Sequence, residues 1–330
     1  MYDVAAAAGL SVATVSRFLA GSGYVGQASR NKIADAIVAL GYVPNRAAAS
    51  LKSRRSGLLG FVVSDLQNPF VAELAASIGA QARLHGYGMV LSDSQGNPEH
   101  SVEAVELLRS HGVDGMIVTP PESPALNELL LSMQSLRIPL VGIGLHTSPP
   151  RIDVATVDTR AGAMAAVRHL IELGHRRIAM IGSRTLALGR RDAYMLALRG
   201  AKLPAPRELL RYGSLDRAGG VRGAQALLAL HEPPTAIFAA NDAVALGVLQ
   251  EAGRQGVQVP AELSLIGFDD GDLAAHATPP LTTVAQPKTE LGRRAVELLV
   301  ARAGSTGATD PVEVTLACEL VIRNSTAPPD

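Results

Sequence analysis

From Leu58 onward the chain alternates short apolar runs with longer stretches whose apolar residues recur every three or four positions. The runs at 58–63, 88–91, 115–118, 139–143 and 154–157 show little polar alternation, the pattern of strands buried on both faces of a parallel sheet. A second series follows at 177–181, 236–239 and 263–267. Helical spacing fills 70–85, 99–111 and 122–136 in the first series, and 160–173, 190–200, 217–230 and 242–255 in the second. Strands alternating with helices predict an α/β fold of doubly wound parallel sheets, and two consecutive series predict two such lobes.

The first 55 residues obey a different pattern. Residues 3–8 form an Ala-rich helical segment, Gly9 stops it, and Ser11 is placed to cap a second helix from Val12. Two short helices joined by a tight Gly-containing turn are the frame of a helix-turn-helix. After a loop at Gly21-Ser-Gly23, Ile33, Ile37 and Leu40 repeat at helical spacing up to Gly41. Pro44 forces an extended step before it, and Asn45 can cap a short helix through Leu51. Residues 52–57 are polar and basic, which suits a linker.

Charge sharpens this division. The chain is formally neutral, yet residues 1–60 carry seven Lys and Arg against Asp3 and Asp35, a net of +5, which leaves −5 for the rest. A basic head on an acidic body is expected if only the head meets phosphates. At 330 residues with 47% hydrophobic content the chain suits two or three well-packed domains. Cys318 is the only cysteine, so no intrachain disulfide can form, in keeping with a reducing cytoplasm. The opening Met-Tyr-Asp-Val has neither a basic nor an apolar leader region, and no run of about 18 apolar residues exists. The expectation is a cytoplasmic protein without a membrane partner.

Seven motifs in order make the chain resemble the lactose-repressor (LacI/GalR) family of bacterial transcription regulators. They are Asp3-Val-Ala-Ala-Ala-Ala-Gly-Leu-Ser-Val-Ala-Thr-Val-Ser-Arg17, Gly41-Tyr-Val-Pro-Asn-Arg-Ala-Ala48, Asn68-Pro-Phe70, Leu173-Gly-His-Arg-Arg-Ile178, Ala240-Asn-Asp-Ala-Val-Ala-Leu-Gly247, Leu265-Ile-Gly-Phe-Asp269 and Pro280-Leu-Thr-Thr-Val-Ala-Gln286. The resemblance implies an all-α helix-turn-helix headpiece (1–44), a hinge helix and linker (45–57), and a two-lobed periplasmic-binding-protein-like core (58–330). It places lobe one at about 58–157 and 286–316, and lobe two at about 158–285 and 317–330, with chain crossings near 157, 285 and 317. It also implies a homodimer, possibly a tetramer, on palindromic operator DNA, with a small effector between the lobes.

In the second helix Arg17 is the sharpest candidate. It can bond two acceptors on a guanine edge, a pairing worth roughly 1–3 kcal/mol of discrimination, or it can be a solvated surface arginine. The resemblance favours the groove. Val12, Ala13 and Ser16 face the groove with Arg17; Val12 and Ala13 can make only apolar contacts there, and Thr14 and Ser16 suit phosphate contact or capping. Asn45, Arg46 and Lys52 are further candidate DNA contacts. An isolated helix from 45 to 52 is too short to hold in water. The family implies that Leu51 wedges between minor-groove base steps, where unstacking is offset by the bend; the alternative is that Leu51 packs on the core. An effector that shifts the lobes would then alter hinge ordering, with couplings of about 1–3 kcal/mol, or 5- to 150-fold in occupancy.

Ligands of such cores sit at the carboxyl ends of the strands. The candidates are Asn68 and Phe70 after the first strand, Asp93 after the second, then Arg190, Asn241, Asp269 and Gln286. Arg190 with Asp269 offers donors and a carboxylate suited to sugar hydroxyls. Asp242 is read as a helix cap, and Asp158 as a cap or a cleft residue. Against the family pattern, Leu215 stands where an aromatic is common and Gly144 where a polar contact is common. Ala193 replaces a turn glycine, which leaves the register of Arg190 against Arg191 open. Met1 stands in place of a segment that includes a helix-capping Thr, a loss of roughly 1 kcal/mol for the first helix. Gly21-Ser-Gly-Tyr-Val-Gly26 has the letters of a dinucleotide loop but follows a helix, and the eight histidines lack metal spacing. No Gly-x-Ser-x-Gly elbow occurs. The expectation is therefore no cofactor, metal or catalytic set, and a regulator rather than an enzyme; the alternative is a solute-binding or sensor protein without DNA binding.

Overall fold

The computed structural model describes the chain apart from residues 20, 22, 43–54, 120–123, 136–137, 145–151, 185–187, 305–309 and 330. The chain divides into two units, Met1–Ser56 and Gly57–Asp330.

In the first unit, helices α1 (Tyr2–Ala8), α2 (Val12–Leu19) and α3 (Gln27–Ala39) enclose a small core. Val4, Ala5, Ala8, Val15, Val25, Ile33 and Ala36 are buried there, and Leu10, Phe18 and Tyr42 pack around them. Gly9 ends α1 in the left-handed region (φ 63°), with Leu10 N–H bonding Ala5 O at 3.0 Å and Gly9 N–H bonding Ala6 O at 3.2 Å. A residue with a Cβ resists that conformation, which is why the turn needs glycine. Ser11 caps α2 as expected: its Oγ accepts from Thr14 N at 3.2 Å. At α1 the capping position is Met1, with no side-chain bond.

The second unit is an α/β fold of two parallel sheets. Strands β1 (Leu58–Val63), β2 (Gly88–Asp93), β3 (Gly115–Val118), β4 (Leu140–Ile143), β5 (Asp153–Val157) and β11 (Glu313–Leu316) form the first, in the order β11-β5-β4-β3-β1-β2. Leu59, Phe61 and Val63 face one layer with helices α4 (Pro69–Leu84) and α12 (Lys288–Gly304). Val62, Met116 and Val118 face the other, with α5 (Pro98–Ser110) and α6 (Pro124–Ser135). Burial on both faces explains the unbroken apolar runs.

Strands β6 (Ile178–Gly182), β7 (Leu210–Tyr212), β8 (Ala236–Ala239) and β9 (Ser264–Ile266) form the second sheet, in the order β7-β6-β8-β9. Helices α7 (Thr159–Glu172) and α8 (Leu188–Gly200) cover one face, where Ile178, Met180, Phe238 and Phe268 are buried. Helices α9 (Arg217–Leu228) and α10 (Asp242–Gln255) cover the other, over Ile181, Ile237 and Leu265. The chain leaves the first sheet after Val157 to enter α7. It returns through β10 (Thr283–Ala285) into α12, and leaves again from β11 through Cys318 into β12 (Glu319–Val321), which pairs antiparallel with β10. Between β9 and β10 lies the short helix α11 (Asp272–Ala275). Strands β7, β10, β11 and β12 are three or four residues long and partly polar, so no apolar run announced them.

Candidate DNA-reading face and effector site

Helix α2 packs through Val15, which is fully buried, and through Phe18 and Leu19. Its opposite side leaves Ala13 and Arg17 exposed, with Thr14 and Ser16 half-exposed. The Arg17 side chain lies along the helix, with Nε donating to Ala13 O at 3.3 Å, and no carboxylate pairs with it among the described residues. Val12 divides its role: it is half-buried and packs against the headpiece core, so only part of it faces outward. Asn45, Arg46, Leu51 and Lys52, and with them the short helix expected at 45–51, lie outside the described residues.

In the second unit the carboxyl ends of β8 and β9 bring four side chains together. Arg190, in the first turn of α8, enters with its guanidinium carbon 3.9 Å from the centre of the Phe268 ring. One terminal nitrogen donates to Ala240 O, and the other lies 3.5 Å from Asp269 Oδ1. Gln286 Nε2 donates to the same Oδ1 at 2.6 Å. Asp269 and Gln286 are buried, and Arg190 nearly so. Burial pushes the Asp269 carboxyl upward and the Arg190 guanidinium downward, each opposed by the charge of the other. The Nε of Arg190 is buried and has no partner among the described residues. A buried donor without an acceptor costs about 1–3 kcal/mol unless a ligand or water meets it.

Asp242 stands behind this group. Its Oδ2 accepts from Gly271 N at 2.9 Å and its Oδ1 from Thr283 Oγ1 at 2.6 Å, so the carboxylate staples the 267–271 turn to β10. A Cβ on Gly267 would sit 2.2 Å from Asp242 Oδ1, so only glycine lets the turn approach. Burial and the neighbouring charge of Asp269 raise the Asp242 carboxyl, against the pull of its two hydrogen bonds.

The sequence reading needs correcting at α10. Asn241, rather than Asp242, caps the helix: its Oδ1 accepts from Val244 N at 2.9 Å and its Nδ2 donates to Leu215 O at 2.9 Å. Both polar ends of Asn241 are thereby engaged, and it shapes the site floor instead of presenting a free amide. Three expected residues belong to lobe one, Asn68 just before α4, Phe70 in its first turn and Asp93 at the end of β2. Asn68 caps α4 by accepting from Phe70 N at 3.0 Å. Phe70 is half-buried against the lobe-one core. Asp93 accepts from Leu66 N at 3.3 Å and Gln95 N at 2.9 Å, tying the β1–α4 loop to the loop after β2. Asp158 is a cap, accepting from Ala161 N at 2.8 Å. Of the two neighbouring arginines, Arg190 turns to Asp269 and Arg191 lies 3.1 Å from Asp192.

Comparison with known proteins bears on what this geometry serves. A family model described as bacterial regulatory proteins, lacI family, matches residues 1–45, and one for a periplasmic binding protein-like domain matches residues 167–326. The HTH-type transcriptional regulator DegA of Bacillus subtilis is 35% identical over 332 residues, covering 99% of this chain and 98% of the relative. The chain belongs to the lacI family of bacterial regulatory proteins. Among solved structures, this lacI-family chain is similar to the Lac repressor dimer bound to operator and the anti-inducer ONPF. That likeness has a TM-score of 0.87 at 27% identity, with 99% of this chain and 98% of the other covered. It is also similar to a complex of the transcriptional regulator CelR with cellobiose, with a TM-score of 0.74 at 31% identity and 98% of both chains covered.

Two groups at the site of this lacI-family regulator escaped the sequence reading. Lys288 and Glu73 meet at 2.9 Å beside Asp269, and Asp270 pairs with Arg323 at 2.7 Å. Their signal was faint: Lys288 stands two residues after Gln286, and the pair Asp269-Asp270 precedes a glycine, as in a tight turn.

Proposed function

We propose that this regulator reads palindromic operator DNA as a homodimer, with Ala13, Ser16 and Arg17 of α2 facing the major groove. Thr14, beside them, would meet phosphate. Asn45, Arg46, Leu51 and Lys52 would add further contacts to the DNA. A small polyhydroxylated effector, a sugar or sugar derivative, binds against Arg190, Asp269 and Gln286. The carrying observation is the buried Nε of Arg190, unpartnered among the described residues, beside a buried carboxylate. A hydroxyl both accepts and donates, so a vicinal pair of hydroxyls satisfies a guanidinium N–H and a carboxylate oxygen at once. The chain's likeness to a repressor dimer bound to operator and to a regulator in complex with cellobiose supports both halves of this reading. Asn68, Phe70 and Asp93 would complete the site from lobe one. No catalytic role is assigned, and a chromosome-binding regulator acts in the cytoplasm. Among the described residues no helix is long and apolar enough to cross a membrane.

Selection of bound fragments from genomic DNA tests the reading. A recovered two-fold symmetric sequence, bound with an affinity that falls steeply as salt rises, is expected. Enrichment of no sequence over bulk DNA would overturn it.

A further inference from the structure

Lys288 opens α12 at the crossover, and its ammonium meets three acceptors from two segments. It donates to Asp269 O at 3.2 Å and Asp270 O at 2.6 Å, and pairs with Glu73 Oε2 at 2.9 Å. An ammonium has three N–H donors, so the group is saturated, and its side chain is only 14% exposed. Two of the acceptors belong to consecutive residues at positive φ, uncommon for any residue with a Cβ: 115° at Asp269 and 52° at Asp270. Such backbone persists only where its surroundings over-determine it. Most of what holds the turn lies in lobe two or the crossover strand: Asp242, the Val284 carbonyl and Arg323. Two contributors come from the other side: Lys288 itself, on α12 against the first sheet, and Glu73 of α4, whose second oxygen accepts from Asp272 N at 3.4 Å.

We infer that Lys288 and Glu73 form an interlobe latch that fixes the Asp269 turn and ties it to α4. The latch makes the position of the Asp269 carboxylate depend on the relation of the two lobes, and the reverse. A ligand that engages Asp269 therefore acts on α4 through this contact. Helix α4 follows β1, which begins directly after Gly57. Glu73 and Lys288 are positioning residues, because their donors and acceptors are already engaged by the turn. The inference rests on Asp269 as an effector contact, and it deepens that reading by naming how occupancy reaches lobe one.

The test uses the full chain without ligand. In a Cys318→Ala background, spin labels are placed at exposed Arg83 on α4 and exposed Gln250 on α10, and the labelled chain is diluted with unlabelled protein. The distance distribution between the lobes is read by double electron–electron resonance. Glu73→Gln, which preserves shape and removes the charge, is expected to enlarge a longer-distance population at least threefold. Lys288→Met should do the same, and adding Glu73→Gln to it should change nothing further. A Glu73→Gln distribution superimposable on the parent, or additive effects of the two changes, would overturn the latch. Loss of local stability alone would leave the interlobe distance unmoved. Because no ligand is present, failure here is distinct from failure of the effector reading, which shows instead as unaltered ligand binding in Asp269→Asn.

Discussion

Replacing Arg190 by Met separates a ligand-reading group from a structural one. The new side chain keeps an unbranched stem over Phe268 and removes the guanidinium. Lost are the bond to Ala240 O, the 3.5 Å attraction to Asp269 and the cation–π contact at 3.9 Å. A hydrogen bond contributes about 1 kcal/mol and a desolvated cation–π contact about 2 kcal/mol. Against this stands the relief of burying a guanidinium, an effective penalty of several kcal/mol. Asp269 keeps the Gln286 amide, and its carboxyl, already raised by burial, takes up a proton. The net change in stability should therefore stay within about 2 kcal/mol, or roughly 8 °C in Tm at 2–4 °C per kcal/mol. Ligand binding loses far more in relative terms. One hydrogen bond from a charged donor is worth about 1.5–3 kcal/mol, which at 1.4 kcal/mol per decade is a roughly 10- to 150-fold loss of affinity. Thermal-shift screening of mono- and disaccharides on the parent identifies the ligand, and isothermal titration of both proteins gives the ratio. Affinity within threefold of the parent, alongside a Tm lowered by far more than this, would show that Arg190 only supports the fold.

Three other outcomes follow from the same geometry. Burial holds Asp242 and Asp269 above the usual carboxylate range, so folding takes up protons. That contribution is full below the unfolded value near 4 and fades as pH rises towards neutrality, so Tm should fall across that window and Asp242→Asn should flatten the slope; an unchanged slope contradicts this. Gly267→Ala drives a Cβ to 2.2 Å from Asp242 Oδ1 and 2.8 Å from Leu281 Cδ2, and should cost about 1–3 kcal/mol in urea unfolding; a change within about 0.5 kcal/mol refutes the close approach. Arg17→Ala should relax discrimination at one base pair per half-site by about 1–3 kcal/mol, measured by competition among operator variants, and a uniform loss across all variants would make Arg17 a phosphate contact.

Much of this was legible in the sequence, for identifiable reasons. The runs around Phe61, Ile117 and Phe238 are apolar because both sheet faces are covered, and that pattern survives in a single sequence. Gly9 and Ser11 mark their turn through backbone chemistry confined to a few residues. Arg190 and Asp269 were legible through motif position, although their contact spans 79 residues of chain. What escaped depends on partners distant in sequence. Nothing local distinguishes Asn241 from Asp242 as a cap; the choice is made by Thr283 and Gly271, which claim the Asp242 carboxylate. Glu73 reads as one more polar residue on α4 until Lys288 and Asp272 are set beside it. The short strands β10 and β12 pair only because the chain crosses between lobes there.

The central claim is that occupancy of the Arg190–Asp269 site changes the grip of the headpiece on DNA. Operator affinity of the full chain, with and without saturating effector, measures it most directly in the parent and in Asp269→Asn. A change of 5- to 150-fold in the parent, the range of couplings of about 1–3 kcal/mol, should vanish in Asp269→Asn while its ligand-free operator affinity is retained. An equal effector response in both proteins, or none in the parent with its ligand demonstrably bound, would contradict the account.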